Sequence, residues 1–236
     1  MNQKKPSLVI FCKRPKLNQG KQRLAEDSSA ESALTIAKAL LDCALEDARN
    51  WQGAVVLACS NNDDMEWAKS LNLNAHVIYQ LPLNQSGNLG ERLNFIDTEL
   101  RKQGHQQLVF IGTDAPMLTE NHYQEIELAL KDNDIALSHA DDGGVVIMAN
   151  KAPWPNLTDL PWSTEKLSLS LSQLCREKKL SVTYTLSGYD IDYMADIKKL
   201  LIDLQTDLRP ARQALLLTLE QTFNDLTLLP KVTTHA

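Results

Sequence analysis

The chain has 236 residues, of which 43% are hydrophobic and 23% charged, enough for one large α/β domain with a sizeable core. No Pro/Gly/Ser-rich linker, internal repeat or low-complexity tract marks a second domain. A net charge of −6 argues against a surface for polymeric nucleic acid, although residues 1–23 hold seven Lys or Arg and no acid.

Ser7 to Cys12 (SLVIFC) reads as a buried strand, followed by a polar, basic loop through Gln22. A helix is expected from about Ser29 to Arg49, with Ser28 and Glu31 as a capping box. Leu34, Ala37, Leu41, Ala44, Leu45 and Ala48 give that helix its apolar stripe. Ala54 to Cys59 is a second strand, Asp63 to Leu71 a short helix with acids in its first turn, and Ala75 to Tyr79 a third strand.

A loop with Pro82 and Gly87 leads into a helix from about Leu89 to Gln103. Leu108 to Ile111 is a fourth strand, and Thr119 caps a helix to about Lys131. Ile135 to Ser138 and Val145 to Ala149 are strands joined by a short link, which predicts one antiparallel pairing. A Pro-rich loop (Pro153, Pro155, Pro161) precedes a helix capped by Ser163 and running to about Lys178. Leu180 to Leu186 is a last strand. Two helices, roughly 193–206 and 208–225, close the chain.

The alternation implies a mixed, mostly parallel sheet with helices on both faces. Ligands of such sheets lie beyond the carboxyl ends of the strands, so the loops there carry the functional expectations. The loop 11–24 is basic but is not a Walker A loop, because Pro15 and Gln22 stand where Gly and Ser or Thr are needed. Lys13, Lys21 and Arg23 can still hold phosphate. Gly87-Asn-Leu-Gly-Glu-Arg opens a helix where an anion or a base could sit, or is a plain helix entry.

Asp114 follows a buried strand and suits Mg²⁺, or caps the next turn. Asp142-Gly143 reads as a hairpin turn as well as a site segment. Asp190 and Asp192 alternate on an extended stretch and can face one ion, with helix capping as the other role for Asp192.

Cys12, Cys43, Cys59 and Cys175 show no CxxC spacing and are expected as buried hydrophobes rather than disulfides or a zinc site. No segment is long enough to span a bilayer, and the opening apolar run is short for a signal segment, so a cytoplasmic protein is expected.

Together these loops resemble the CofC-like, DUF2064 family of glycosyltransferase-A (GT-A) proteins. Its pattern runs F-x-K-x-P-x-P-G-x-x-K-T-R-L, G-D-L-G-x-R, I-G-T-D-x-P, D-G-G, P-W-(S/T)-T and D-x-D-x-x-x-D. This chain matches at Phe11, Lys13, Pro15, Lys21, Arg23 and Leu24, then at Gly87, Leu89, Gly90 and Arg92. Ile111 to Asp114, Pro116, Asp142 to Gly144, Pro161 to Thr164, Asp190, Asp192 and Asp196 continue the order. It departs at Asn18 (family Gly), Gln22 (Thr), Asn88 (Asp) and Val145 (Tyr).

The resemblance implies a single-domain GT-A fold of the nucleotide-diphospho-sugar transferase kind over residues 1–206, with 207–236 as a C-terminal helical extension. It implies a metal-dependent glycosyltransferase or nucleotidyltransferase acting on a nucleotide or nucleotide sugar and a small-molecule acceptor, with Mg²⁺ or Mn²⁺. Lys21 and Asp114 are the implied catalytic residues. Lys13, Lys21, Arg23, Gly87, Leu89, Gly90 and Arg92 would bind nucleotide, and Asp114, Asp190 and Asp192 the metal. Asp142, Gly143, Trp162 and Thr164 are further candidates. The C-terminal helices or the Pro-rich loop would shape the acceptor side or a homodimer contact. The departures leave a second role open, a catalytically inactive nucleotide-binding or partner-binding domain on the same fold.

Overall fold

The computed structural model describes residues 5–83 and 85–224. The end of the expected C-terminal extension, from residue 225, lies outside them. In chain order the elements are β1 (Ser7–Cys12), α1 (Gln22–Asp27), α2 (Ala30–Asn50), β2 (Val55–Cys59), α3 (Met65–Lys69), β3 (His76–Tyr79) and α4 (Leu89–Lys102). Then come β4 (Leu108–Ile111), α5 (Glu120–Asp132), β5 (Ile135–His139), β6 (Val145–Asn150), α6 (Leu167–Glu177), β7 (Val182–Tyr184), α7 (Met194–Asp203) and α8 (Pro210–Asn224).

The chain divides into two compact units, a larger one of residues 5–14 and 44–190 and a smaller one of 15–43 and 191–224. The larger unit holds the whole seven-stranded sheet, ordered β3-β2-β1-β4-β6-β5-β7. Only β6 runs antiparallel, to β4 on one side and β5 on the other, as the short link at 139–144 predicts. β1 is the centre of the parallel part, with Leu8 opposite Val55 and Ser7 opposite Leu108.

Both faces of β1, β2 and β4 are buried, which is why these strands read as unbroken apolar runs. On one face Val9, Ala58, Phe110 and Leu137 pack with Leu93, Ile96 and Leu100 of α4 and Leu171 of α6. Leu8, Ile10, Leu57 and Val109 point the other way and are equally buried. The α/β class with a mixed, mostly parallel sheet flanked by helices is therefore the observed one.

The smaller unit is helical, with Leu24, Ile36, Leu40, Leu200, Leu215 and Leu219 in its interior. Arg212 is also fully buried there and donates to the Cys43 carbonyl at 2.7 Å.

Three local expectations are corrected. Ser29, not Ser28, caps α2: its Oγ accepts from Ser32 N at 3.1 Å, while Ser28 Oγ donates back to Leu24 O at 2.6 Å. Ser28 is used to close α1, a six-residue helix too short to leave a period in the sequence. Ser163 does not cap α6. It sits at φ 61, and the chain turns through Thr164, whose Oγ1 donates to Pro161 O at 2.7 Å, before α6 begins at Leu167. The last strand shortens to Val182–Tyr184 because it is an edge strand paired with β5 alone.

Candidate functional site

The basic loop after β1 is shaped by left-handed backbone. Gln19 N donates to Lys16 O at 3.1 Å, and Asn18, Gly20 and Lys21 have φ of 58, 76 and 48. Asn18 stands where the resembling family has glycine, and asparagine is the side-chain-bearing residue that best tolerates this conformation. The turn survives the substitution for that reason.

Lys21 leads into α1 and turns its ammonium inward within the smaller unit. Its Nζ donates to Ile191 O at 2.6 Å and to Asp192 Oδ1 at 2.9 Å. Arg23 Nη1 reaches the other oxygen, Oδ2, at 3.3 Å. The Arg23 guanidinium carbon also lies 4.7 Å from the centre of the Tyr193 ring, within cation–π range. One carboxylate is thus shared by two cations, with the Asp192 side chain 41% exposed and that of Lys21 13%.

Asp192 is held in place from behind. Asp196 Oδ2 accepts from the backbone N–H groups of Asp192 at 2.9 Å and Tyr193 at 2.7 Å. Asp196, rather than Asp192, therefore serves the start of α7, and the Asp192 carboxylate is left to the two cations. The contribution of Tyr193 was not visible in the sequence.

In the larger unit, Gly87 to Arg92 forms the start of α4. Asn88 Oδ1 accepts from Glu91 N at 3.0 Å, and Glu91 Oε2 accepts from Asn88 N at 2.7 Å, a reciprocal cap. Arg92 is committed to the protein: Nε donates to Gly87 O at 3.0 Å, and Nη1 to Ser60 O and Gln80 Oε1, each at 3.1 Å. It orders the loop after β3, whereas Leu89 and Lys13 are exposed.

Asp114 is half-buried beyond β4, and its carboxylate folds back over Gly112, where a Cβ would lie 2.6 Å from Oδ1. Asp190 is half-buried as well, and it ends the larger unit. Asp142 and Gly143 build the β5–β6 turn: Asp142 Oδ1 accepts from Gly144 N at 2.9 Å, and Gly143 has φ 88. Ser168 N donates to Gly143 O at 3.0 Å, which ties that turn to the start of α6. Trp162 Nε1 donates to Leu157 O at 3.0 Å.

All four cysteines are buried and none forms a disulfide. Cys12 and Cys59 end β1 and β2 as register partners, and their hydrogen bond pushes the Cys12 thiol up and the Cys59 thiol down. Burial pushes Cys175 up to about 12. Among the described residues no group of three or more His, Cys, Asp or Glu gathers to hold a metal ion. No helix among them is long and apolar enough to cross a membrane.

Residues 43–164, just over half of the chain, match the family described as "Uncharacterized protein conserved in bacteria (DUF2064)". The chain belongs to that family. The matched stretch holds Gly87–Arg92, Asp114, Asp142, Gly143, Trp162 and Thr164, while Lys13, Lys21, Arg23 and the 190–196 segment fall outside it. No curated protein matches the chain.

Among solved structures, a candidate nucleotide-diphospho-sugar transferase from Desulfovibrio desulfuricans G20 aligns with a TM-score of 0.81 at 19% identity, covering 94% of this chain and 98% of that one. At that identity the likeness establishes a shared fold. A 4-diphosphocytidyl-2C-methyl-D-erythritol synthase from Anaerococcus prevotii DSM 20548 covers 82% of this DUF2064 chain and 94% of its own, at 13% identity and a TM-score of 0.49. The manganese complex of Rv0371c from Mycobacterium tuberculosis H37Rv covers 83% and 97%, at 14% identity and a TM-score of 0.47.

Proposed function

We propose that this DUF2064 protein is a transferase that binds a nucleoside triphosphate or a nucleotide sugar together with Mg²⁺ or Mn²⁺ and passes part of it to a small acceptor. The observation that carries the proposal is the pairing of Lys21 and Arg23 with Asp192. The fold shared with a candidate nucleotide-diphospho-sugar transferase supports it.

An ammonium and a planar guanidinium on one loop suit the oxygens of a diphosphate or triphosphate. The Asp192 carboxylate is a hard oxygen donor of the kind Mg²⁺ and Mn²⁺ prefer, and Mg²⁺ completes its shell with waters and phosphate oxygens rather than with a protein cage. A sparse set of protein carboxylates is compatible with that habit. Asp192 is the proposed ligand in the smaller unit, where a bound ion would neutralise phosphate charge, and Asp114 and Asp190 are proposed, separately, as metal ligands of the larger unit. Lys21 is proposed to stabilise charge on the departing phosphate, with Arg23 beside it. Within the larger unit, Lys13 and Gly87 to Arg92 are proposed as nucleotide contacts.

The charge arrangement makes a further demand. Asp192 already occupies Lys21 and Arg23, so a phosphate must compete with a carboxylate on the same two cations. A cation that engages Asp192 weakens its hold on both. Nucleotide and divalent cation should therefore bind cooperatively, with a coupling on the order of 1–3 kcal/mol.

Thermal unfolding with GTP, CTP, UTP, UDP-glucose and GDP-mannose, each with and without Mg²⁺, tests the proposal, because a ligand that binds only the folded state raises its stability. At least one nucleotide should stabilise the chain, and more strongly with metal. If none does at millimolar concentration, the transferase proposal fails. Product analysis with the stabilising nucleotide then separates the two chemistries, since nucleotidyl transfer releases pyrophosphate and glycosyl transfer releases a nucleoside phosphate.

A further inference from the structure

The segment 151–162 between β6 and α6 has almost no regular structure, and three of its residues are prolines. Six of its backbone groups are bound by side chains of α4 and its cap. Arg101 Nη1 and Nη2 donate to Lys151 O and Ala152 O at 3.1 Å each. Asp97 Oδ2 accepts from Trp154 N at 3.3 Å. Asn94 makes two bonds, Nδ2 to Pro155 O at 2.7 Å and Oδ1 from Leu157 N at 2.8 Å. Asn88 Nδ2 closes the series on Thr158 O at 2.8 Å.

Positions 90, 94, 97 and 101 follow the spacing of one helical face. Gly90 supplies the close approach and the other three supply polar groups, so the segment lies along α4 as a strap read through its backbone. Asn88 differs from the rest because it also caps the helix. Its Oδ1 serves α4 while its Nδ2 serves the strap. An aspartate, which the resembling family pattern carries here, would keep the cap but has no proton to donate. It would instead face the Thr158 carbonyl with a second oxygen.

We propose that Asn88 is a positioning residue that couples the Gly87–Arg92 turn to the strap, so that one carboxamide sets both the strap's order and the affinity of that turn for its ligand. The inference rests on the proposed contact between Gly87–Arg92 and a nucleotide. The strap amides that report its order are those of Leu160, which donates to Leu157 O at 3.3 Å, and Trp162, which donates to Leu160 O at 2.8 Å.

Asn88→Asp and Asn88→Ser test it together. Both retain a cap acceptor, and the serine removes the carboxamide N–H that reaches Thr158 O without adding charge. Hydrogen exchange is followed at Glu91 and Arg92, in the first turn of α4, and at Leu160 and Trp162. Dissociation constants are measured with whichever nucleotide–Mg²⁺ pair stabilises the wild type. The expected result is wild-type exchange in the helix turn, about tenfold faster exchange in the strap and about tenfold weaker nucleotide binding, the scale of one lost hydrogen bond. Unchanged strap exchange overturns the proposal, as does a loosened strap with an unchanged dissociation constant. A wild type that binds no nucleotide removes the functional proposal itself, and with it this inference.

Discussion

A Cβ at Gly90 would stand 2.2 Å from the carbonyl oxygen of Leu157. Gly90 sits in the first turn of α4, where alanine is ordinarily the better helix former by roughly 1 kcal/mol. Here the strap leaves no room for the methyl group, and the obstacle is backbone rather than a flexible side chain. Gly90→Ala should therefore destabilise the chain, by about 1–3 kcal/mol as overpacked interiors do. Urea unfolding reads it directly. A variant as stable as wild type would mean that the strap is free to move away.

Asp97 is the deepest anchor of the strap. Its carboxylate accepts from Arg101 Nε at 3.1 and 3.2 Å and from Asn150 Nδ2 at 2.7 Å, and its side chain is nearly inaccessible. Removing one member of a buried ion pair strands the other, at a cost of roughly 3–5 kcal/mol. Asp97→Ala should lose about that much in chemical denaturation. Asp97→Asn keeps acceptor capacity for Asn150 or Trp154 and should lose less. Equal losses would mean that the negative charge facing Arg101, rather than the bonds to Asn150 and Trp154, holds this anchor.

These two cases show what a sequence can and cannot display. The strands were legible because β1, β2 and β4 are buried on both faces, which leaves uninterrupted apolar runs. The start of α4 was legible too, since Gly87 to Arg92 reads as the opening of a helix. The strap was visible only as three prolines: its partners on α4 lie about 50 to 70 positions away, and no local pattern carries such a pairing. Lys21, Arg23 and Asp192 were each singled out from residue type and from resemblance. That they are tied to one another across roughly 170 residues was not readable, because ion pairs depend on the folded path of the chain.

Acid sensitivity is expected at the edge of the sheet. Asp134 Oδ2 accepts from Ser181 N at 2.9 Å and from Ser181 Oγ at 2.8 Å, joining the starts of β5 and β7. The Ser181 backbone hydrogen bond, with the hydroxyl behind it, holds the Asp134 carboxyl below the usual aspartate value. A depressed folded pKa means stability that is present above the unfolded value and lost as pH falls through the folded one. Asp134→Ala should thus cost on the order of 1 kcal/mol near about pH 7, a modest figure because the site is solvent-screened. The gap to wild type should narrow below about pH 4. Urea melts of both proteins across this range check it, and a gap independent of pH would assign the bond's worth to geometry rather than charge.

The last prediction concerns the shared carboxylate. Asp192 pairs with both Lys21 and Arg23, and it is also the proposed partner of the divalent cation. The proposal therefore gives it opposite effects on two ligands. In Asp192→Ala the Asp192 carboxylate no longer holds either cation, so a metal-free nucleotide meets less competition at Lys21 and Arg23 and should bind about tenfold more tightly than to wild type, or ~1.4 kcal/mol. The same variant should gain less affinity from added Mg²⁺ than wild type does. Lys21→Ala should weaken nucleotide binding with and without metal, since it removes a phosphate partner and leaves Asp192 in place. Calorimetric titration of the three proteins with one nucleotide, at zero and millimolar Mg²⁺, separates these outcomes. If Asp192→Ala weakens metal-free binding instead, the carboxylate supports the nucleotide directly, and its competition for the two cations is not what governs the site.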